Sequence, residues 1–310
     1  MSEYINKTDS LFLDKLNKLL NEDQVRINER MKDHTTFKIG GPCDYFLTPS
    51  SLDELSQLLV LCKEHKIEVF VLGNGSNLLV TDKGYRGAVI QVFKNFNQVT
   101  IEGNTIIAGA GILLVALASV AAKGKLTGLE FASGIPGTLG GAVYMNAGAY
   151  GGEMKQVVTK VTAINLNGEV KVFNRNELDF DYRHSALQDK HFIAIEVELE
   201  LKEGDIKSIK ELMFDFNSRR KDKQPLEFPS AGSTFKRPEG YYAGKLIMDS
   251  GLKGYRIGDA MVSDKHCGFV VNNGDATFNE VYELIQHIQK TVFEQYGVTL
   301  QREVKILGDI

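Results

Sequence analysis

An α+β fold in two main parts is what this sequence predicts, and three observations predict it. Amphipathic helices and short apolar strands follow one another in mixed order, not as strict strand–helix–strand units. Two glycine-rich stretches, Gly73–Asn77 and Ser133–Gly152, interrupt the first two thirds of the chain. Near Lys202-Glu203-Gly204-Asp205 the texture changes, as a long charged helix leads into a compact region with its own capped helix.

Taken in order, Leu13, Leu16, Leu19 and Leu20 fall at helical spacing and predict a short amphipathic helix over 11–20. Ser51-Leu52-Asp53-Glu54 is a capping-box pattern, opening a helix with Leu55, Leu58, Leu59 and Cys62 on one face. That helix leads into an apolar strand, Glu68–Leu72, which ends at the first glycine stretch. Strands are expected at 78–80, 88–92, 99–101 and 105–108, then a helix at 113–122. After the long glycine stretch come strands at 157–166, 169–173 and 192–201, the last two expected to pair antiparallel. A helix over 206–220 ends in the segment RRKDKQP. A second capping box, Thr277-Phe278-Asn279-Glu280, opens a helix that turns Phe278, Val281, Leu284, Ile285, Ile288 and Val292 to one side. A strand over 298–307 closes the chain.

Bulk properties narrow the function classes. At 310 residues, with 43% hydrophobic and 25% charged residues, the chain can bury a substantial core. A net charge of −4 argues against nucleic acid as the main partner, because phosphate backbones call for a basic excess. No apolar run is long enough to span a bilayer, and the first twenty residues are polar and amphipathic, so a cytoplasmic protein is expected. Cys43, Cys62 and Cys267 show no CxxC spacing, and the six histidines form no HxH or HExxH pattern. Neither a disulfide framework nor a protein-bound metal is expected.

The stretch SGIPGTLGGAVYMNAGAYGG holds seven glycines, three alanines and no charge. Glycine loses the most backbone entropy on folding, so such a run implies φ > 0 conformations or a close approach of the main chain to something. Bare N–H groups in an uncharged loop suit an anion such as a pyrophosphate. Gly73-Asn74-Gly75-Ser76-Asn77-Leu78 has the first two glycines of the dinucleotide fingerprint but Leu78 in place of the third, and it runs into a strand, not a helix. No Walker A lysine motif is present. Taken alone, this loop reads equally as an anion cradle or as a tight turn with no ligand.

The combination is more specific. Thr36-Phe37-Lys38-Ile39-Gly40-Gly41-Pro42, then GNGSNLLV, then SGIPGTLGGAVYMNAGAYG resembles the flavin-binding domain of the vanillyl-alcohol-oxidase/p-cresol-methylhydroxylase class. Asp181-Tyr182-Arg183, Ser230–Lys236 and Gln301-Arg302-Glu303-Val304 extend the likeness. From about Arg26 to Leu307 the chain resembles the UDP-N-acetylenolpyruvoylglucosamine reductase family. The resemblance implies a lead-in over 1–35, a two-lobed FAD-binding domain over 36–204, and a smaller α+β substrate-binding domain over 205–310. It implies FAD held non-covalently by Gly73, Asn74, Gly75, Ser76, Asn77, Gly134, Ile135, Pro136, Gly137, Gly140, Gly141, Asn146 and Ala147. Some relatives in the wider class attach flavin covalently through histidine or cysteine; the two glycine segments contain neither, although His34 and Cys43 lie close in sequence.

In the reaction that the resemblance implies, NADPH reduces FAD, and hydride then passes to the enolpyruvyl ether of a UDP-sugar on the way to peptidoglycan. Arg183, in DYRHS, matches the clamp for the developing enolate; by itself it reads as an arginine paired with Asp179 or Asp181. Ser233, in PSAGSTFK, matches the proton donor; by itself it reads as a serine capping a turn. Glu303 matches the catalytic acid in the terminal strand; by itself it reads as a surface glutamate. Beside a substrate carboxylate Glu303 would need a raised pKa or a close Arg183. These residues span 120 positions, so only folding could assemble them. Tyr182, Lys223, Gly232 and Lys236 are the expected substrate contacts, and 255–258 with 262–266 the expected pocket walls. His184 and His266 are read as structural. Only 49 residues separate Arg183 from Ser233, which matches the shorter form of the family, without a tyrosine-bearing lid. The rival readings are a flavin oxidase of the same fold class and a non-catalytic flavin carrier. A monomer acting on a small molecule is expected.

Overall fold

The computed structural model describes the backbone of residues 7–310 and side chains from residue 10 onward, so the polar lead 1–6 lies outside the described residues. The helices are α1 (Lys7–Leu19), α2 (Leu52–Glu64), α3 (Leu114–Lys123), α4 (Leu139–Tyr144), α5 (Ala186–Asp189), α6 (Ile206–Lys223), α7 (Ala243–Asp249) and α8 (Phe278–Tyr296). Together with the sheets they make the α+β fold that the sequence predicts.

The chain divides into two compact units, each discontinuous in sequence. Unit 1 collects the chain through Ile27, Tyr45–Gly73 and Gly87–Ser218; unit 2 collects Asn28–Asp44, Asn74–Arg86 and Arg219–Ile310. The serial division at 35 and 204 differs from this one because the strands Val25–Arg30, Pro42–Leu47 and Tyr85–Gln91 each carry the chain from one unit to the other. Composition along the sequence cannot register such returns.

Unit 1 is built on a five-stranded antiparallel sheet in the order Val170–Asn174, Val158–Asn165, Phe192–Glu200, Thr105–Gly109, Val99–Glu102. The expected pairing of 169–173 with 192–201 is therefore corrected: both pair with Val158–Asn165, which lies between them. Val158–Asn165 is apolar enough to take the central place, burying Val158, Val161, Ala163 and Ile164. Val69–Leu72 runs parallel to Tyr85–Gln91, in register from Val69↔Ala88 to Leu72↔Gln91. Helix α2 starts where Ser51 Oγ accepts the Glu54 N–H at 3.1 Å, and Leu55, Leu58, Leu59 and Cys62 are buried as expected. The Glu54 carboxylate accepts from Ser50 and Gln24. Phe12, absent from the expected α1 stripe, is fully buried and meets Tyr45 edge-on at 5.0 Å.

Unit 2 has its own core. Phe278, Val281, Leu284, Ile285, Ile288 and Val292 of α8 pack with Phe37, Ile39, Leu79 and the strand residues Ala260, Val262 and Val270. Helix α8 carries the full capping box: Thr277 Oγ1 accepts from Glu280 N at 3.2 Å, and the Glu280 carboxylate accepts from Thr277 N at 2.9 Å. Arg256–Ile257, Ala260–Val262 and Val270–Asn272 form an antiparallel sheet, and Leu78–Val80 pairs parallel with Lys305–Leu307. The closing strand is thus only three residues long, not ten. From Gln301 to Val304 the chain bonds irregularly to the loop at 234–236, so Glu303 lies ahead of the strand and not in it.

Candidate active site

The glycine-rich segment is anchored in unit 1 by its main chain. Leu114 N donates to Gly137 O, Leu139 N to Ile112 O, and Gly140 N to Ala110 O at 2.7 Å. The segment contains a helix that the sequence reading missed: α4, capped by Thr138 Oγ1, which accepts from Gly141 N at 3.3 Å. Helix α4 lies against Phe192–Glu200. The first glycine stretch begins beside it. A Cβ on Gly73 would stand 2.4 Å from Thr138 Oγ1, so only glycine lets these two chains come this close.

The rest of that stretch belongs to unit 2. Gly75 has φ 61, and a Cβ there would meet the His34 carbonyl oxygen at 2.2 Å. Thr36 N bonds Gly75 O at 3.2 Å and completes the turn. The N–H groups of Gly75, Ser76 and Asn77 donate to no backbone carbonyl among the described residues. Neither Gly73–Asn77 nor Ser133–Gly152 contains an acidic side chain. Uncharged donors without competing carboxylates fit the diphosphate of a dinucleotide. Cys43, fully buried, has its thiol pushed up to about 12 by that burial, which removes the thiolate that covalent attachment would need. His34 is engaged with Glu29 at 2.8 Å.

Two of the expected cofactor residues have other duties. The buried Asn146 carboxamide donates to Glu153 at 2.9 Å and to Asp181 O at 3.1 Å, and accepts from Lys155 N at 2.9 Å. Asn77 Nδ2 donates to Glu303 O at 3.2 Å, while Asn77 O accepts from Lys305 N. Gly134, Ile135, Gly137 and Ala147 are half-buried, and Pro136 and Gly141 are exposed.

Arg183 stands in unit 1 on a tight turn in which Asp181 and His184 exchange backbone hydrogen bonds at 3.1 and 3.2 Å. Its φ is 55, a conformation that non-glycine residues adopt at a cost. The guanidinium lies 5.1 Å from the centre of the Tyr182 ring, and Tyr182 is half-exposed. The Asp181 carboxylate accepts from Tyr182 N at 2.7 Å, so it serves its own turn.

Ser233 and Glu303 stand together in unit 2. Thr234 N donates to Gly268 O at 2.8 Å, Glu303 N to Thr234 O at 2.9 Å, and Lys236 N to Gln301 O at 2.8 Å. Ser233 thus lies one residue from the atom that Glu303 binds, and its exposed hydroxyl caps no turn among the described residues. Gly232 has φ 76 with open space where a Cβ would be, so conformation alone selects glycine there. Lys236 is half-buried and Lys223, at the end of α6, is exposed.

His266, set aside as structural, is a support for this loop. Burial lowers its pKa from 6.5 and keeps the ring neutral, and Nδ1 accepts from Gly268 N at 3.1 Å. The same Gly268 holds Thr234 through its carbonyl. An open hollow of about 460 Å³ on α6, lined by Ile206, Lys207, Lys210, Glu211 and Phe214, contains none of the expected site residues. Among the described residues no cluster of histidine, cysteine and acid side chains is placed to hold a metal, and no helix is long and apolar enough to cross a membrane.

Residues 43–174 match the FAD binding domain family, and residues 224–307 match the C-terminal domain of UDP-N-acetylenolpyruvoylglucosamine reductase. Over 299 residues the chain is 53% identical to the UDP-N-acetylenolpyruvoylglucosamine reductase of Caldanaerobacter subterraneus subsp. tengcongensis, covering 96% of this chain and 99% of that one. This chain belongs to that reductase family. The reductase of Alkaliphilus oremlandii is likewise 53% identical, over 95% of this chain and 97% of its own. The crystal structure of the Thermus caldophilus enzyme superposes with a TM-score of 0.80 at 37% identity, covering 92% of this chain and all of that one. The protein is an FAD-dependent oxidoreductase, with an FAD-binding domain and a C-terminal domain of the reductase type.

Proposed function

We propose that the protein uses NADPH to reduce the enolpyruvyl ether of UDP-N-acetylglucosamine enolpyruvate, giving the UDP-N-acetylmuramate needed for peptidoglycan. Bound to this chain, FAD would supply the relay of hydride from NADPH to the substrate's methylene carbon. Gly73–Asn77 and the segment around Gly134, Ile135, Pro136, Gly137, Gly140, Gly141 and Ala147 hold the cofactor, chiefly through main-chain N–H groups.

The protein's own residues manage charge and protons. Arg183 offers a fixed, permanently charged fork to the enolate and carboxylate oxygens as negative charge builds on them. Ser233 donates a proton to the carbon adjacent to the methylene. A hydroxyl is a weak acid, but a carbanion-like enolate is basic enough to take its proton. Glu303 is the acid that assists beside it. Tyr182, Gly232, Lys223 and Lys236 contact the sugar nucleotide, the lysines through its diphosphate.

The observation that carries this reading is the joining of the Ser233 loop to Glu303, whose N–H donates to Thr234 O, while Asn77 of the first glycine stretch donates to the carbonyl of the same residue. The test separates the half-reactions. Anaerobic protein is bleached with NADPH and then mixed with the enolpyruvyl UDP-sugar. Prompt return of flavin absorbance is expected; a flavin that stays bleached with this substrate but reoxidises with oxygen would sink the proposal and favour an oxidase. Gel filtration against standards checks the expected monomer.

A further inference from the structure

We infer that Gln188 is the positioning residue for Arg183, fastening its left-handed turn to the end of helix α4. The inference rests on the reading of Arg183 as the enolate clamp. Arg183 is the third residue of a four-residue turn from Asp181 to His184, and its φ of 55 is one that glycine or asparagine ordinarily supplies at that position. An arginine kept there must be held by its surroundings, and residues so held cluster where geometry matters for function. Gln188 supplies the hold. Its Nε2 donates to Arg183 O at 3.1 Å and to Tyr144 O at 2.7 Å, so both amide hydrogens are spent and one side chain joins the clamp's own peptide to the glycine-rich segment. Ser185 Oγ reaches the same Tyr144 carbonyl at 2.9 Å, and Asn146 grips Asp181 O on the other side of the turn. Because the atom seized is the Arg183 carbonyl, Gln188 fixes the peptide plane that directs the Arg183 side chain. A guanidinium swung aside by an ångström still carries its charge but no longer meets the developing enolate.

The experiment uses the full-length, FAD-loaded protein carrying Gln188→Met, which keeps the length and removes the N–H donors, with Gln188→Ala as a second variant. Flavin content, melting temperature and the rate of NADPH bleaching are measured first, then the rate of flavin return with the enolpyruvyl UDP-sugar. Expected is a yellow protein that bleaches at the parental rate and whose flavin return slows about 10- to 100-fold. In an Arg183→Ala background the same substitution should add less than about 2-fold, because coupled residues are not additive. If Arg183→Ala alone leaves flavin return unchanged, the clamp reading falls, and this inference with it. If Arg183→Ala slows flavin return but Gln188→Met does not, or slows it by the same factor in both backgrounds, only the positioning role is overturned. Loss of FAD or of folding in both Gln188 variants overturns it too, because the amide would then be a general brace of the segment.

Discussion

Arg183 and Ser233 sit on turns of opposite construction. The Arg183 turn is held from outside by side chains: the amides of Asn146 and Gln188 reach across to the carbonyls of Asp181 and Arg183. The Ser233 loop is held chiefly by its backbone, through Thr234 to Gly268 and Glu303 and through Lys236 to Gln301, with the Thr234 hydroxyl and the His266 ring as additions. Main-chain bonds survive almost any substitution, so the Ser233 loop tolerates sequence change around a fixed position. Side-chain bonds vanish with one codon. The Arg183 turn therefore depends on a few named residues, and its strained φ makes that dependence sharper.

The largest expected effect is chemical. Ser233→Ala should slow flavin return with the UDP-sugar by roughly 100- to 10,000-fold while leaving NADPH bleaching near normal. Backbone bracing predicts this separation, because alanine leaves the loop in place. Stopped-flow traces of the two half-reactions check it, and a collapse of both would mean that Ser233 holds structure.

Next come two substitutions that compare how much each turn owes to its side-chain bonds. Asn146→Ala removes the three part-buried hydrogen bonds of a buried carboxamide and should cost about 2–4 kcal/mol, the sum of three modest losses. Thr234→Val removes one buried acceptor, the Oγ1 that takes the Val270 N–H at 3.0 Å, and should cost about 1–3 kcal/mol. Urea unfolding of both variants orders them. Equal losses would erase the contrast between the turns.

Glycines sharpen the same point with smaller numbers. Gly232→Ala pays only for its left-handed φ, about 1 kcal/mol, because open space surrounds the new methyl. Gly75→Ala pays that and must also displace the His34 carbonyl, so it should lose about 1–3 kcal/mol more and bind FAD less tightly. Melting temperature and flavin content of the two purified variants decide it. The smallest effect concerns pH. The folded pKa of His266 lies below its ordinary 6.5, so the unfolded chain takes up the proton first as pH falls. Its contribution is complete above pH 6.5 and declines below it. A His266→Gln variant should show a shallower fall in melting temperature between pH 7 and 5 than the parent.

Much of the fold was legible from local pattern. Both capped helices start at the expected residues, and the six apolar positions named for α8 are its buried ones. Helix α4 was hidden because it is only six residues long and two of them are glycine, so neither hydrophobic period nor propensity marks it. The pairing of strands was hidden for another reason. Alternation identifies a strand but not its neighbour, and Val158–Asn165 intervened between two that looked well matched. The Glu303 segment read as part of the closing strand over 298–307, yet its bonds to Thr234 break the ladder. At the site, motifs named Arg183, Ser233 and Glu303, while Gln188 and His266 carry no motif and act only through where folding puts them.

By itself the sequence determined the helix caps, the apolar faces, the two uncharged glycine stretches and the family, because each is written in residues near one another or in motifs of fixed order. Tertiary structure alone decided that the chain passes five times between two compact units, and that Asn77 reaches Glu303 across 226 positions. It also turned two amides into supports for an arginine. Those outcomes depend on hydrogen bonds between distant segments, and no local preference encodes which distant carbonyl an amide will find.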